Sequence, residues 1–295
     1  MYAQFFGTFL LSHNAVTKEQ LLHALSKKTS QHMKLGTLAI MKGYMTASEV
    51  DNVIISQTHN DCRFGDLAIR EGYLTEEQVD ELVKTQYPDF LLLGQTLVDE
   101  GYITNAQLET LISDYESENE LYDLDYSNEK QDDLDRILAN FFHTSDLTAD
   151  EYNASYMRLL FNDLTRFIGD DFTPLCFNPC KEYPVNYCVS QTINGESSSK
   201  IYLDMPETTC ISFASRYVNE EFTEFDEYVQ ASLEDFLNLH NGLYNVNISN
   251  TLGKELTLEA PEIVSDELID LSDTSYLLQI MYPFGVVNFI FELQR

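Results

Sequence analysis

Basic side chains are scarce in this sequence. Its 295 residues include 17 lysines and arginines against 49 aspartates and glutamates, which gives a formal net charge of −32. A chain this acidic repels the phosphates of DNA and RNA, because affinity for nucleic acid depends on contacts from basic side chains that release counterions. We therefore exclude nucleic-acid binding, and a basic protein surface is the more compatible partner.

Cysteine is also sparse, and long apolar runs are missing. The five cysteines are an odd number without the dense spacing of a disulfide framework. Cys176, Cys180 and Cys188 lack the paired C-x-x-C spacing of a zinc site, so we expect no metal. No stretch approaches the roughly eighteen apolar residues of a membrane span, and the apolar segment 5–11 fits a helix core better than a signal peptide. These features together predict a cytoplasmic protein.

Glycine and threonine recur with regular spacing in the first third of the chain. Glycines occur every 29 residues, a threonine follows each of them, and a glycine or asparagine suited to a helix C-terminus comes three residues before each threonine. Such a period is typical of stacked supersecondary units. We predict an all-α array of four 29-residue helix-turn-helix repeats over residues 1–112, marked by Gly7, Gly36, Gly65 and Gly94 and by Thr17, Thr46, Thr75 and Thr104.

Each of these threonines has the partner that a helix start requires. A glutamine or glutamate follows three residues later, so that the two side chains can form a capping box and satisfy the first backbone amides of a helix. The four partners are Gln20, Glu49, Gln78 and Gln107. The second helix of every repeat is therefore expected to begin just after its threonine.

The character of the chain changes after residue 112. Residues 113–135 contain ten acidic side chains against Lys130 alone, a composition typical of a linker. Apolar residues at helical spacing then resume, and beyond Pro174 the pattern becomes that of strands and turns. Strands at 185–193 and 200–205 are joined by a turn-prone segment at 194–197, and a terminal hairpin is centred near Gly285. We predict an acidic linker at 113–135 and a second domain at 136–295, of the α+β class, with a largely antiparallel sheet.

A long amphipathic helix is predicted from about residue 223 to 244. One of its faces gathers Val229, Leu233, Phe236, Leu237 and His240. The opposite face contains Asp235 and Asn238 together with the small residues Ala231 and Gly242. Asp235 and Asn238 are three residues apart, so their side chains project next to one another. We interpret this face as a site that another protein can approach closely.

The stretch 197–264 of the second domain resembles the CheX and CheC family of response-regulator phosphatases, through its segments 201–209, 218–227 and 256–264. The family motif is E-x-x-N on the long helix, and its positions fall on Asp235 and Asn238. The resemblance implies that Asn238 orients a water for attack on the phosphorylated aspartate of a CheY-like receiver, and that Asp235 pairs with the receiver's lysine. It also implies a homodimer and Mg²⁺ held by the receiver, with no cofactor in this chain.

This sequence departs from the family motif at its acidic position. Asp235 is one methylene shorter than the expected glutamate. Glu234 takes that position only if the register slips by one residue, which turns the side chain about 100° around the helix. The motif occurs once in the chain, as in the single-copy CheX branch of the family.

Residues 5–112 resemble the N-terminal domain of the GspE and MshE secretion and pilus ATPases, some of which bind cyclic di-GMP. In that motif a basic residue precedes L-G and a glutamine follows the second helix, and only the second and third repeats have both ends. Lys34 and Arg63 supply the positive charge that two phosphates require. The resemblance thus implies a cyclic di-GMP site in these repeats, made by Lys34, Gly36, Gln57, Arg63, Gly65 and Gln86.

Two functions remain open from the sequence, beside a third interpretation in which both halves of the chain are degenerate scaffolds. In the first, the chain is a CheX-like signalling protein that dephosphorylates or binds a CheY-like receiver and is regulated by its N-terminal repeats. In the second, it is a non-catalytic adaptor that binds cyclic di-GMP or a protein partner through repeats 2 and 3.

Overall fold

The computed structural model of the chain describes residues 2–28, 33–85, 87, 89–119, 137–142, 151–195, 198–265 and 267–293. Internal contacts divide the chain into two compact units, residues 2–137 and 138–295. The first unit is helical throughout its described residues, and the second combines helices with antiparallel strands. The predicted α+β class, with helices first and an antiparallel sheet afterwards, is confirmed.

The described part of the first unit consists of helices in sequential pairs. The two members of each pair are separated by a turn of about five residues. The helices are α1 (Tyr2–Ser12), α2 (Lys18–Lys28), α3 (Leu35–Met41), α4 (Ala47–His59), α5 (Phe64–Arg70), α6 (Glu76–Lys84), α7 (Asp89–Asp99) and α8 (Asn105–Glu118).

The second helix of each pair begins with the capping box that the sequence predicted. At Thr46, for example, the backbone N–H donates to Glu49 Oε2 at 2.7 Å, and the threonine hydroxyl accepts from the Glu49 N–H at 3.3 Å. The first helix of each pair ends in a left-handed residue, at Asn14, Gly43, Gly72 and Gly101. The other capping pairs are Thr17 with Gln20, Thr75 with Gln78 and Thr104 with Gln107.

The recurrent helical glycines allow the two helices of a pair to approach closely. A Cβ placed on Gly36 would lie 2.8 Å from Val50 Cγ1, and one on Gly94 would lie 2.5 Å from Leu108 Cδ1. Val50 and Leu108 are themselves buried. Because real Cβ atoms do not approach other carbons this closely, only glycine fits at these two positions without a shift of its neighbours.

Helix α8 extends into the segment that the sequence predicted to be linker. Its last two turns, residues 113–118, are helical because Tyr115 is buried there and packs against Phe6, Phe9 and Phe90 at ring-centroid distances of 5.1 to 5.7 Å. One aromatic anchor thus outweighs the acidic composition of the surrounding residues. The rest of the predicted linker, apart from Asn119, lies outside the described residues.

The second unit has a helical start followed by strands and two further helices. Helix α9 covers residues 137–142, of which 138–142 belong to this unit, and α10 (Glu151–Asp163) continues into a π-helical turn (Leu164–Ile168). The remaining elements are β1 (Thr173–Pro174), β2 (Asn178–Pro179), β3 (Glu182–Pro184), β4 (Tyr187–Asn194), β5 (Ser198–Met205), α11 (Glu207–Val218), α12 (Glu227–Leu252), β6 (Thr257–Leu258), β7 (Glu262–Ser265), β8 (Leu268–Asp270), β9 (Ser275–Tyr282) and β10 (Gly285–Leu293).

The main sheet has the strand order β1-β9-β10-β5-β4-β6, with β2 also on β9 and β7 also on β4. Every pairing described is antiparallel, and β3 pairs with β8 in a small separate sheet. The two predicted hairpins, β4 with β5 and β9 with β10, are both present. Each hairpin joins two strands that are neighbours in the sequence, so local patterns are enough to predict both hairpins.

Helix α12 packs on strand β4 and between α10 and α11. Asp226 caps its first turn by accepting from the Tyr228 and Val229 amides, and Gly253 ends it with φ 65°. The helix starts close to the predicted position but continues two turns further. Its buried face contains the residues that the sequence placed there, Val229, Leu233, Phe236, Leu237 and His240.

Candidate functional site

Asp235 and Asn238 lie side by side on the exposed face of α12. Both residues are exposed, and their separation of three residues places them one turn apart. The prediction that they face solvent is therefore confirmed. The helix presents a carboxylate and a carboxamide outward, the pair of groups that the sequence singled out.

A buried side chain of the sheet holds Asn238. Gln191 in β4 donates from Nε2 to Asn238 Oδ1 at 2.8 Å and also to the backbone carbonyl of Glu259 at 2.8 Å. Gln191 is only 1% exposed. The carboxamide of Asn238 is thus anchored to the body of the unit, although the residue itself is at the surface.

The same network continues into the core. Asn241 donates from Nδ2 to Gln191 Oε1 at 2.8 Å, and the Tyr156 hydroxyl of α10 donates to Asn241 Oδ1 at 2.8 Å. Burial raises the pKa of Tyr156, and the neighbouring Tyr244 and Asp163 add to the effect. The phenol therefore stays protonated and remains a hydrogen-bond donor at physiological pH.

A tyrosine from the neighbouring helix holds Asp235. The Tyr217 hydroxyl, in the last turn of α11, donates to Asp235 Oδ2 at 2.6 Å. Its ring packs edge-on against Phe236 and Phe167. Partial burial, the hydrogen bond and the Asp235 carboxylate raise the pKa of Tyr217, so the phenol stays neutral. One carboxylate oxygen of Asp235 is engaged in this way, and the carboxylate has a second oxygen to offer a cation.

Glu234, the alternative acidic residue, faces a different neighbour. It is half-buried, and its carboxylate adds to the effect of burial in raising the pKa of Tyr187 in β4. Tyr187 packs edge-on against Phe225 at a centroid distance of 4.7 Å. Asp235 is therefore the more exposed acidic residue beside Asn238.

The rest of the exposed face of α12 includes small and apolar residues. A Cβ on Gly242 would meet no other atom within 4 Å, so packing inside this unit does not require glycine there. Ala231 is exposed, and so are Leu243 and Val246, at 38% and 58%. These small and apolar residues surround the carboxylate and carboxamide, and together the face suits close contact with another protein.

A buried ionisable pair lies on the opposite side of α12. His240 Nδ1 is 2.7 Å from Asp163 Oδ2, and both side chains are buried. Burial lowers the pKa of His240, and the hydrogen bond and charge of Asp163 oppose this only in part. The imidazole is therefore neutral at physiological pH, donates from Nδ1 to the carboxylate, and packs edge-on with the Tyr156 ring.

The described candidate dinucleotide residues of the first unit lie at the starts of α3 and α5 and in α4, and a Cβ on Gly36 would be 3.2 Å from the Phe64 ring. Lys34 precedes α3, where its Nζ lies 2.5 Å from Asp99 Oδ1 and its backbone N–H donates to Gln95 Oε1. Gln57 donates to the Cys62 carbonyl, and Arg63 is exposed at the N-cap of α5. Gly36 and Gly65 face the following helices, with Val50 and Val79 over their Cα atoms, and Gln86 lies outside the described residues. The structure thus gives Lys34 a partner within the chain.

The described parts of the chain lack a cluster of metal ligands and a helix suited to a bilayer. No group of three or more histidine, cysteine, aspartate or glutamate side chains comes together there to hold a metal ion. Among the described helices, none combines the length and apolar character needed to cross a bilayer.

Sequence reasoning found Asp235 and Asn238 but missed the groups that hold them. The burial of Gln191 could have been inferred from the sequence. Side chains alternate between the two faces of β4, so Gln191 shares one face with Val189 and Ile193. Asn241 shares the buried face of α12. Tyr217 and Tyr156 gave no comparable signal, since aromatic residues at helical spacing are ordinary core residues.

Residues 187–285 match the family model described as Chemotaxis phosphatase CheX. The match runs from the start of β4 to the start of β10 and includes Gln191, Asp235 and Asn238. The second unit therefore contains a CheX-like domain.

Solved structures similar to this chain align with about half of it. A chemotaxis protein CheX from Desulfovibrio desulfuricans is 12% identical, with 49% of this chain and 100% of that chain covered and a TM-score of 0.43. A CheC-like superfamily protein from Shewanella sp. PV-4 is 14% identical, with 50% and 100% covered and a TM-score of 0.44. The CheX–CheY–BeF₃–Mg²⁺ complex from Borrelia burgdorferi gives 15% identity, 49% and 99% coverage and a TM-score of 0.41. No curated protein matches the chain.

Proposed function

We propose that the CheX-like unit of this protein dephosphorylates a CheY-like receiver, with Asn238 and Asp235 as the groups that meet the phosphorylated partner. One observation carries the proposal. Within the segment matched by the phosphatase family model, a carboxamide and a carboxylate lie one turn apart on the exposed face of a long helix, and hydrogen bonds hold both. This is the placement that contact with an external phosphoryl group requires.

The reaction requires no covalent step on the phosphatase itself. A water oxygen forms a bond to phosphorus as the bond to the receiver's aspartate oxygen breaks, which yields inorganic phosphate and a free carboxylate. The receiver supplies Mg²⁺, and positioning and charge stabilisation account for most of the acceleration. In this proposal the Asn238 carboxamide holds the water in line with the bond that breaks.

Asp235 has the role of binding the receiver. Its carboxylate accepts the ammonium group of the receiver's lysine, while Tyr217 keeps the short side chain in place. An ion pair of this kind adds about 1 kcal/mol when it stays exposed, and more when docking removes water from it. Asp235 therefore contributes mainly to affinity for the receiver, and Asn238 mainly to the rate.

The test measures the decay of a receiver loaded with acetyl phosphate, with and without this protein. Asn238→Ala is expected to lower kcat by about a hundredfold, the loss expected when a water-positioning group is removed. The matched control is Asn250→Ala, which removes an exposed asparagine three turns further along α12. If Asn238→Ala and Asn250→Ala behave alike, or if the protein accelerates the decay of none of the organism's receivers, the proposed function is wrong.

For the first unit we propose a regulatory array of four helix-turn-helix repeats, in which repeats 2 and 3 bind cyclic di-GMP or a protein partner. The equivalent placement of Lys34 and Arg63 supports it, since each precedes a short helix and the two are one 29-residue period apart. Calorimetry with cyclic di-GMP tests the nucleotide alternative. Lys34→Ala combined with Arg63→Ala should abolish the heat, whereas Lys84→Ala should leave it unchanged. Heat that survives the double substitution would place the site elsewhere.

We also propose, from the family resemblance, that the protein forms a homodimer in the cytoplasm. Light scattering on the full chain at several concentrations tests the dimer. A single species of 33.9 kDa, the mass of one chain, would contradict it.

A further inference from the structure

A buried glutamine connects the sheet to the surface residue Asn238. Gln191 lies in β4, 47 residues before Asn238 in the chain, and its side chain spans the space between the strand and α12. We propose that Gln191 is the positioning residue of this site, because it determines which end of the Asn238 carboxamide faces a bound phosphoryl group. This inference rests on the proposed function and adds to it the orientation on which the water-positioning group depends.

A backbone carbonyl fixes the orientation of Gln191. The atom of its carboxamide that lies 2.8 Å from the Glu259 carbonyl oxygen must be the nitrogen, because a carbonyl can only accept a hydrogen bond. The Glu259 backbone is itself held, since its N–H donates to the Thr192 carbonyl at 3.0 Å. The same Gln191 nitrogen is 2.8 Å from Asn238, so the Asn238 atom facing it must be the oxygen.

The other end of Gln191 is fixed from the core. Its oxygen accepts from Asn241 Nδ2, and the Asn241 oxygen accepts from the Tyr156 hydroxyl. Asn241 is fully buried and Tyr156 is 5% exposed. The side-chain amides of Gln191 and Asn241 therefore cannot rotate without leaving a buried polar group unpaired. The main-chain carbonyl thus sets one direction for the whole series of hydrogen bonds, and the phenol completes the series by donating to Asn241.

This direction determines what Asn238 offers to a partner. With its oxygen held by Gln191, the carboxamide has its two N–H donors left for a ligand. Donors suit the oxygens of a phosphoryl group and the lone pair of an attacking water, whereas the carbonyl end would repel the anion. A rotated carboxamide would also place its N–H group against the N–H group of Gln191.

The decisive variant is Gln191→Glu. An ionised glutamate can accept but cannot donate, so it keeps the bond from Asn241, loses the bond to the Glu259 carbonyl, and makes Asn238 rotate to donate an N–H inward. We expect kcat for receiver dephosphorylation to fall about tenfold or more, with KM changed less than about twofold. Protonation of the glutamate restores a donor, so the ratio of variant to wild-type kcat should recover as the pH falls.

Two further variants separate positioning from folding. Gln191→Leu removes donor and acceptor together, so it should lower kcat without the pH-dependent recovery. Ser190→Ala changes the neighbouring buried residue of the same strand and should keep wild-type kcat. If Gln191→Glu and Gln191→Leu both retain wild-type kcat, the positioning role is wrong. The positioning role is also wrong if the ratio of the Gln191→Glu kcat to the wild-type kcat does not change with pH.

An NMR measurement on the full chain tests the orientation without any receiver. The side-chain amide signals of Asn238 are assigned by their loss in Asn238→Ala. In Gln191→Glu one of its N–H protons should move downfield and exchange more slowly, because it then donates to a carboxylate. Unchanged signals would overturn the positioning role even if the protein is an active phosphatase. Changed signals in a protein that dephosphorylates no receiver would overturn the proposed function and leave the orientation of Asn238 established.

Discussion

Two glycine-to-alanine substitutions should change stability in opposite directions. A methyl group on Gly242 meets no atom within 4 Å, whereas one on Gly36 would lie 2.8 Å from Val50 Cγ1. Alanine in place of glycine inside a helix gains about 1 kcal/mol from propensity. Overpacking of a buried site costs roughly 1–3 kcal/mol, and Val50 cannot relieve it easily because β-branched side chains are stiff in helices. We therefore expect Gly242→Ala to stabilise the protein by about 0.5–1 kcal/mol and Gly36→Ala to destabilise it by up to about 2 kcal/mol, the overpacking cost less the gain in propensity.

The assay is urea unfolding followed by far-ultraviolet circular dichroism, combined with hydrogen exchange and mass spectrometry. Hydrogen exchange localises each effect, to peptides of α3 and α4 for Gly36→Ala and to peptides of α12 for Gly242→Ala. Gly65→Ala is an intermediate control, since its Cβ would be 3.2 Å from the half-buried Val79. If Gly36→Ala stabilises the first unit as much as Gly242→Ala stabilises the second, the packing argument for the recurrent glycines is wrong.

Gly242→Ala also tests the docking face of α12. If the receiver approaches this face closely, the added methyl group should lower kcat/KM several-fold although the protein itself becomes more stable. A stabilised variant with wild-type kcat/KM would mean that the receiver does not contact Gly242.

Three further predictions concern single residues. Asp235→Glu should lower KM for the phosphorylated receiver a few-fold, because the longer side chain reaches further towards a lysine; steady-state kinetics check this, and a raised KM would contradict it. His240 has a lowered pKa in the folded protein, so the unfolded chain binds the extra proton and stability should fall as the pH drops below about 6.5. The urea midpoint of unfolding should depend less on pH in His240→Asn, a variant that keeps a donor for Asp163, than in the wild type. An equal pH dependence in the two proteins would refute the assignment of this effect to His240. Thr75→Ala removes the capping box with Gln78 and should cost about 1 kcal/mol in the same unfolding assay, whereas no loss would show that the cap contributes little.

The helix starts of the first unit were predictable because their determinants are local. A threonine and its glutamine or glutamate partner are three residues apart, so the pair forms wherever the helix forms, independently of the rest of the fold. The two hairpins of the second unit were predictable for the same reason. By contrast, the extension of α8 through residues 113–118 depends on Tyr115 reaching Phe6, more than a hundred residues earlier in the chain, and composition carries no sign of that contact.

The candidate site was predictable only in part. Helical periodicity places Asp235 and Asn238 on the polar face of α12, and the structure has both exposed there. Helical periodicity within α12 gives no information about Tyr217, which comes from another helix, or about Gln191, which comes from a strand. Alternation in β4 shows at most that a glutamine lies among apolar neighbours.

The sequence by itself thus determined where the first helix of each pair in the first unit ends and where the second begins, the two hairpins, and the exposure of the carboxylate and carboxamide on α12. Each depends on residues within one turn of helix or one tight turn of chain. Only the tertiary structure decided how those two groups are held. Gln191 meets Asn238 across 47 residues and Tyr217 meets Asp235 across 18, because packing β4 and α11 against α12 brings together groups that no local pattern connects.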